Sequence, residues 1–411
     1  MKTRQTGFSL IELMISVLIG MVAMVFVMRT TVSFESNRRS SLGGSDSMQN
    51  GVVALFSMEN DAAQSGWGLN DNLLLGCKAR FFDSQNYANA NVAGGVAMTL
   101  APLQVVFNGA NPDQISFASG SSDSGTGSVG LTTNTAVGAM ALSIDQIPWG
   151  FKIRDVLAIA PTTAGGACTT PGTAGTCCAI AQVSALVQSP PTLNIANDGT
   201  TGTRFNPPAG LLAAFSGPSQ AKVFNLGDGT ALAFHVWDVN GGVLRMRATD
   251  LTGASTAPTS AVAGIVSIKA LYGFDTRPST TLAAPPCVAG LFMPDCGLLI
   301  SSWSAGMIDA DGDGTVGGPG DYQRLAAVRL AVVARGREPD KADASGTCPN
   351  TTTALPTVFS SQQPVGAVNA AGTTLPISVN VAVAGDTVDW TCYRYRVFET
   401  IVPLRNSGWK P

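Results

Sequence analysis

The chain has 411 residues, of which 12% are charged, and a formal net charge of −3. It is too long for one small domain, and it carries neither a basic surface for direct contact with nucleic acid nor a like-charge block of the disordered kind. Forty-six glycines and 23 prolines, spread through long small-residue stretches, favour a β-rich, loop-rich body over a helical bundle.

Seven residues, among them Lys2 and Arg4, precede an apolar run from Phe8 to Met28 in which Glu12 is the only charge. As a helix this run is about 30 Å long, the hydrocarbon thickness of a bilayer. The positive leader holds the cytoplasmic side, so the bulk of the chain is exported. A secretory signal is cut after its apolar region, beside small residues. Here the junction, Gly7-Phe8, lies before it, so cleavage would leave the apolar helix on the mature protein.

The run Gly7-Phe8-Ser9-Leu10-Ile11-Glu12-Leu13 resembles the class III signal of type IV prepilins and type II secretion pseudopilins. The resemblance implies cleavage after Gly7 by an inner-membrane prepilin peptidase and methylation of the new Phe8 amine. A carboxylate inside a bilayer costs about 3 kcal/mol on insertion scales, so Glu12 needs a partner. The Phe8 amine of a neighbouring subunit, offset by one step, is a cation at nearly the same depth. Glu12 then sets register during assembly.

Beyond Arg29 the helix continues. Met48, Val52, Leu55, Phe56, Glu59, Ala62 and Ala63 recur at helical spacings and read as a stripe packed onto a globular domain. Gly43-Gly44 permits a bend, and Gly66 and Gly68 supply the stop. The expected layout is a leader (1–7), a membrane and assembly half-helix (8–28), an amphipathic half-helix (29–66) and a β-rich exported body (67–411), in one lobe or two. The fold class is α+β. The resemblance implies the lollipop architecture of pilins, although the helix-kinking proline that many major pilins carry near the position of Arg29 is absent.

Short apolar pieces at 104–107 and 114–117 read as strands between long loops. Phe151 to Ala160 reads as a strand, and 221–226, 231–239 and 243–247 as a meander turning at Asn240-Gly241-Gly242. Val262, Gly264, Val266, Ile268, Ala270 and Tyr272 alternate as one long strand with a single buried face. Leu325 to Ala334 and Thr391 to Val402 complete the strands. Eight cysteines in an exported chain read as disulfides. Cys168 pairs with one of the vicinal Cys177 and Cys178, with Cys168–Cys177 as the candidate, and the other vicinal cysteine looks elsewhere. The remaining candidates are Cys287–Cys296 and Cys348–Cys392.

The stretch from Trp390 to Asn406, WTCYRYRVFETIVPLRN, looks like the C-terminal signature of PilW-type minor pilins. So does the order before it: the strand from Ile265 to Asp275, an aspartate-rich loop, then Ala326-Ala327-Val328-Arg329-Leu330. The resemblance covers both ends of the chain and leaves its middle unmatched. It implies a minor pilin that assembles with other minor pilins and the major pilin into a priming or tip complex, with a tip adhesin as a further partner.

Asp309-Ala310-Asp311-Gly312-Asp313-Gly314 places carboxylates at alternate positions before a glycine, and resembles the first half of an EF-hand-type calcium loop. Asp309, Asp311, Asp313, the Thr315 carbonyl and Asp321 are the candidate ligands. A plain Asp/Gly turn is the alternative. His235 is the single histidine, set in a strand and without a nucleophile-elbow pattern, so the sequence reads as non-enzymatic. A minor pseudopilin of type II secretion, or a membrane-anchored, calcium-dependent adhesive domain, are the alternative functions.

Overall fold

The computed structural model describes residues 9–85, 91–122, 127–162, 178–197, 202–218, 220–249, 258–276, 298, 300–348, 351–360, 375–404 and 406. Helix α1 (Leu10–Gln64) is one uninterrupted helix of 55 residues, so Gly43-Gly44 does not break it. Strands β1 (Lys78–Phe81), β2 (Val96–Thr99), β3 (Leu103–Val106), β4 (Gln114–Ser119), β5 (Ser128–Gly130), β6 (Ala141–Ser143) and β7 (Asp155–Pro161) come next. Strands β8 (Cys178–Gln182), β9 (Ala185–Gln188), β10 (Pro191–Asn194), β11 (Ala221–Asp228), β12 (Ala233–Asn240), β13 (Val243–Arg247) and β14 (Thr259–Ala263) follow. The C-terminal part holds β15 (Ile265–Phe274), β16 (Ser302–Ser304), helix α2 (Pro319–Gln323), β17 (Leu325–Arg335), β18 (Thr357–Val358), β19 (Ile377–Ser378) and β20 (Tyr395–Pro403). A long apolar helix followed by a β-rich region that holds two disulfides among the described residues is an α+β chain.

The sheet that carries α1 runs β16-β15-β17-β20, antiparallel at every pairing. All ten residues of β15 are buried. One of its faces, with Ile268, Ala270, Tyr272, Val328, Leu330 and Val332, packs on α1 and a second sheet. The other, with Val266, Leu271, Ala331 and Val333, packs on Trp303, Val358, Phe359 and the 377–381 segment. A strand covered on both sides is buried at every position, not at alternate ones, and in β15 this includes the polar Ser267 and Lys269.

The single alternating strand expected from Val262 to Tyr272 is therefore two. Gly264, at φ +76°, turns the chain from β14 into β15 and into a different sheet. Its N–H donates to the Gly242 carbonyl, and its own carbonyl accepts from Arg335 N–H, so the turn is pinned on both sides.

The second sheet runs β14-β13-β12-β4-β3, and β12 and β13 join through Gly241-Gly242, both at positive φ. The expected meander begins only at β12, because β11 lies between β7 and β5 in a six-stranded sheet ordered β2-β1-β8-β7-β11-β5. The run Phe151–Arg154 is a turn, with Arg154 at φ +79°, and the strand there starts at Asp155. Residues Trp390–Cys392 form a 3-10 turn in which Asp389 accepts from the Thr391 N–H; β20 starts only at Tyr395.

Two disulfides are present among the described residues. Cys77 joins Cys178, tying the end of the loop after α1 to β8, and Cys348 joins Cys392. Cys178 is the vicinal cysteine that looks elsewhere, and its partner Cys77 had no assignment in the sequence. Cys168, Cys177, Cys287 and Cys296, and the two pairings expected of them, lie outside the described residues.

Candidate functional site

Helix α1 has two unlike halves. From Leu10 to Thr31 its mean hydropathy is 2.6 and none of it is buried. Phe26 is 70% exposed and Leu10 79%. An apolar surface of this extent does not persist in water; it requires lipid or other apolar helices. Glu12 sits near the start of this arm as its one acidic residue. Gly7 and Phe8 lie outside the described residues.

From Gly43 onward the helix is docked. Its buried positions are Gly43, Ser47, Gly51, Ala54, Met58, Ala62 and Ser65, stepping by three or four and so forming one face. Nearly all are small, because the supporting strands come close. A Cβ at Gly51 would collide with the Phe398 ring of β20, and Gly43 meets the backbone of Gly336 just beyond β17. This overturns the expected stripe. Met48, Val52 and Phe56 are 54%, 51% and 61% exposed, on the side away from the sheet; Leu55 and Glu59 are half-buried, Ala63 is exposed, and only Ala62 of the expected set is fully buried. Size decides the orientation: apart from Met58, the buried face is glycine, serine and alanine, and Met48, Val52 and Phe56 are left outside.

Polar contacts fix the docked half in rotation and height. The Thr400 hydroxyl donates to Glu59 Oε1 at 2.6 Å. Asp61 Oδ2 accepts from Trp237 Nε1 at 2.7 Å and lies 2.9 Å from His235 Nδ1, so the single histidine ties the helix to β12. Asn406 Nδ2 donates to the carbonyls of Gln64 and Ser65 at the helix end. The Gly66 N–H then donates to the Ala118 carbonyl. The Gly43/Ser47/Gly51 spacing of small residues is the sequence signal for this face, and the larger apolar residues around it obscure it.

The aspartate loop lies between β16 and α2. Carboxylate oxygens of Asp309, Asp311 and Asp313 gather within 4.8 Å of one another. Asp309 accepts from the N–H groups of Gly312 and Gly314, and Asp313 accepts from Thr315 N–H at 2.6 Å. Burial, together with the charges of Asp313 and Asp309, pushes the Asp311 carboxyl up despite the Asp313 N–H that it accepts.

Asp321 is placed differently. It is buried, and its Oδ1 accepts from Ala310 and Asp311 N–H while its Oδ2 accepts from Gly317 and Gly318 N–H. It braces the loop from within and is not among the oxygens that gather. Three convergent hard oxygens are about half of what calcium takes, and their chemistry suits it.

Residues 233–406 match the family described as Type IV Pilus-assembly protein W. Residues 2–28 match the prokaryotic N-terminal methylation motif. The first match opens at β12 and closes after β20, so it takes in most of the strands on which α1 docks, and the second takes in most of the exposed arm. No curated protein matches the chain.

Proposed function

Starting from a chain that is a PilW-type, prepilin-like protein, we propose that it is a minor pilin of the type IV pilus, assembled with other minor pilins into a priming or tip complex on which the major pilin polymerises. The observation that carries this reading is the contrast within α1: an apolar arm with no cover at all, continuous with a docked segment held rigidly on a folded body. Such an arm serves first as a membrane anchor and then as a packing element between subunits. Pilin-family domains are structural, and the scaffold reading assigns no reaction to this chain.

The parts follow from that reading. Residues 1–7 are the leader, removed by prepilin peptidase after Gly7, and Phe8 is methylated. Residues 8–28 cross the inner membrane once, with the N-terminus cytoplasmic, and later lie in the pilus. Residues 29–66 link arm to body, and 67–411 are exported. Glu12 pairs with the Phe8 amine of the next subunit. A tip adhesin is a further partner of the exported body. The Asp309, Asp311 and Asp313 carboxylates with the Thr315 carbonyl are the proposed calcium ligands, steadying a surface loop; thermal melts with and without calcium test this, and an unchanged midpoint contradicts it.

The test of assembly is Glu12→Ala. Cleavage is expected to persist, because the peptidase reads the Gly7-Phe8 bond. Incorporation into sheared pili is expected to fall by about tenfold or more, since an unrelieved pairing of this kind is worth more than about 1.4 kcal/mol. Wild-type amounts in the sheared fraction would contradict the assigned role.

A further inference from the structure

Beneath the loop joining β3 to β4 lies an ion pair that neither solvent nor the assembly reading explains. Lys269 Nζ, from the middle of β15, sits 2.6 Å from Asp113 Oδ1, and both side chains are wholly buried. The lysine also donates to the Gly109 carbonyl at 2.6 Å and lies 4.5 Å above the centre of the Phe107 ring. Asp113 Oδ1 accepts from Asn108 N–H at 2.9 Å, and its Oδ2 from Ala270 N–H at 3.2 Å. The Asp113 N–H donates to the Ile268 carbonyl, so the backbones are locked together as well. An amine on β15 and a carboxyl group on the residue that precedes β4 of the other sheet are thus held in contact, dry.

We propose that Lys269 and Asp113 condense into an isopeptide bond that covalently joins the two sheets. The step balances within the pair. One proton passes from Nζ to Oδ1 along their hydrogen bond, leaving a neutral amine and a carboxylic acid. The Nζ lone pair attacks Cγ and forms the C–N bond. A second Nζ proton goes to the hydroxyl oxygen as the C–O bond breaks, and one water departs. The remaining N–H keeps its bond to Gly109, and the new amide oxygen keeps the Ala270 N–H. Asn108, whose N–H loses its acceptor, lies in the exposed 108–111 stretch and can hydrate; the same stretch is the exit for the water.

Three physical effects favour the step. Burial pushes the Asp113 carboxyl up and the Lys269 ammonium down, each against the charge of the other, so the environment disfavours the ionised pair. In water the hydration of the two ions drives an amide toward hydrolysis, and that drive is absent where both groups are desolvated. Fixed contact between the reacting groups replaces a bimolecular encounter with a unimolecular one. The residues are 156 apart in sequence, so the bond would close a long chord between the sheets that hold α1.

The test is electrospray mass spectrometry of the full chain, purified from its membrane or pilus, reduced and alkylated, with a tryptic map. The expected result is an intact mass lower by one water, and a branched peptide joining the segments around Asp113 and Lys269 with no cleavage after Lys269. Lys269→Met should restore the full mass. The wild-type map decides even if that variant fails to fold. An unshifted wild-type mass overturns the proposal. So does a deficit that maps elsewhere, such as a succinimide at Asp311-Gly312, which alkaline treatment reverses and an amide survives.

Discussion

The two halves of α1 are the same kind of helix and meet opposite surroundings. The arm from Leu10 to Thr31 exposes every large apolar side chain it has, whereas the segment from Gly43 to Ser65 buries a face made of almost nothing but small ones. Hydrophobicity alone would have ranked them the other way round for contact with the body. The docked half is chosen for closeness: small residues let the helix backbone approach β17 and β20, and Met58 fills the deeper space. The arm is chosen for a medium that the folded chain does not supply. Within the docked half, Met48, Val52, Val53 and Phe56 are exposed and form an apolar outer face of their own.

Substitutions on the two sides of the docked half should therefore separate folding from assembly. Met58→Ala removes a fully buried side chain and should lower the stability of the body by about 2–5 kcal/mol, measured by denaturant unfolding of the solubilised protein. Gly51→Val drives a branched side chain into Phe398; about 1–3 kcal/mol of overpacking outweighs the better helix propensity. A midpoint equal to wild type would show that the helix does not seat as described. Asp61→Ala leaves the Trp237 N–H without its carboxylate and should cost about 1–3 kcal/mol. On the outer face the order reverses. Val52→Ser and Phe56→Ser should leave unfolding within about 0.5 kcal/mol of wild type, yet reduce recovery in sheared pili. Loss of body stability in these variants would mean that the outer face is not outer.

The smallest effect concerns the floor under the docked half. Arg335, at the end of β17, pairs with Asp386 at 2.6 Å, and the Tyr393 hydroxyl donates to the same carboxylate at 3.0 Å. Burial opposes ionisation of Asp386, but Val388 N–H, Arg335 and Tyr393 outweigh it and hold the carboxyl below its ordinary value of 3.8. A depressed carboxyl contributes stability that is present above the unfolded value and is lost as pH falls through the folded one. Melting midpoints should therefore decline less steeply below about pH 4 in Asp386→Asn than in wild type. Parallel curves would show that this pair contributes nothing.

Features written in contiguous residues were legible in the sequence. The membrane-length run, the residues ahead of it and the C-terminal PilW-type stretch are all local patterns, and the matches at both ends agree with them. The Gly241-Gly242 turn was legible for the same reason. What failed was partnership at a distance. The strands now labelled β11 and β12 are neighbours in the chain and belong to different sheets, which no run of apolar residues reveals.

The strand β15 looked one-faced because its polar positions, Ser267 and Lys269, fit an alternating pattern, yet both are fully buried. Cys77 finds Cys178 across 101 residues. Asp321 was placed in the ligand set by its offset from Asp309, while its actual partners are four N–H groups that the loop's path brings round to it. In the helix, burial follows closeness to the sheet more than side-chain size.

The account rests on the arm being kept and its leader being cut away, and mass spectrometry of the N-terminal peptide of the protein recovered from sheared pili reads this directly. The predicted result is a chain beginning at Phe8 with one methyl group on its amine. A chain beginning at Met1, or one that begins beyond Met28, would contradict it.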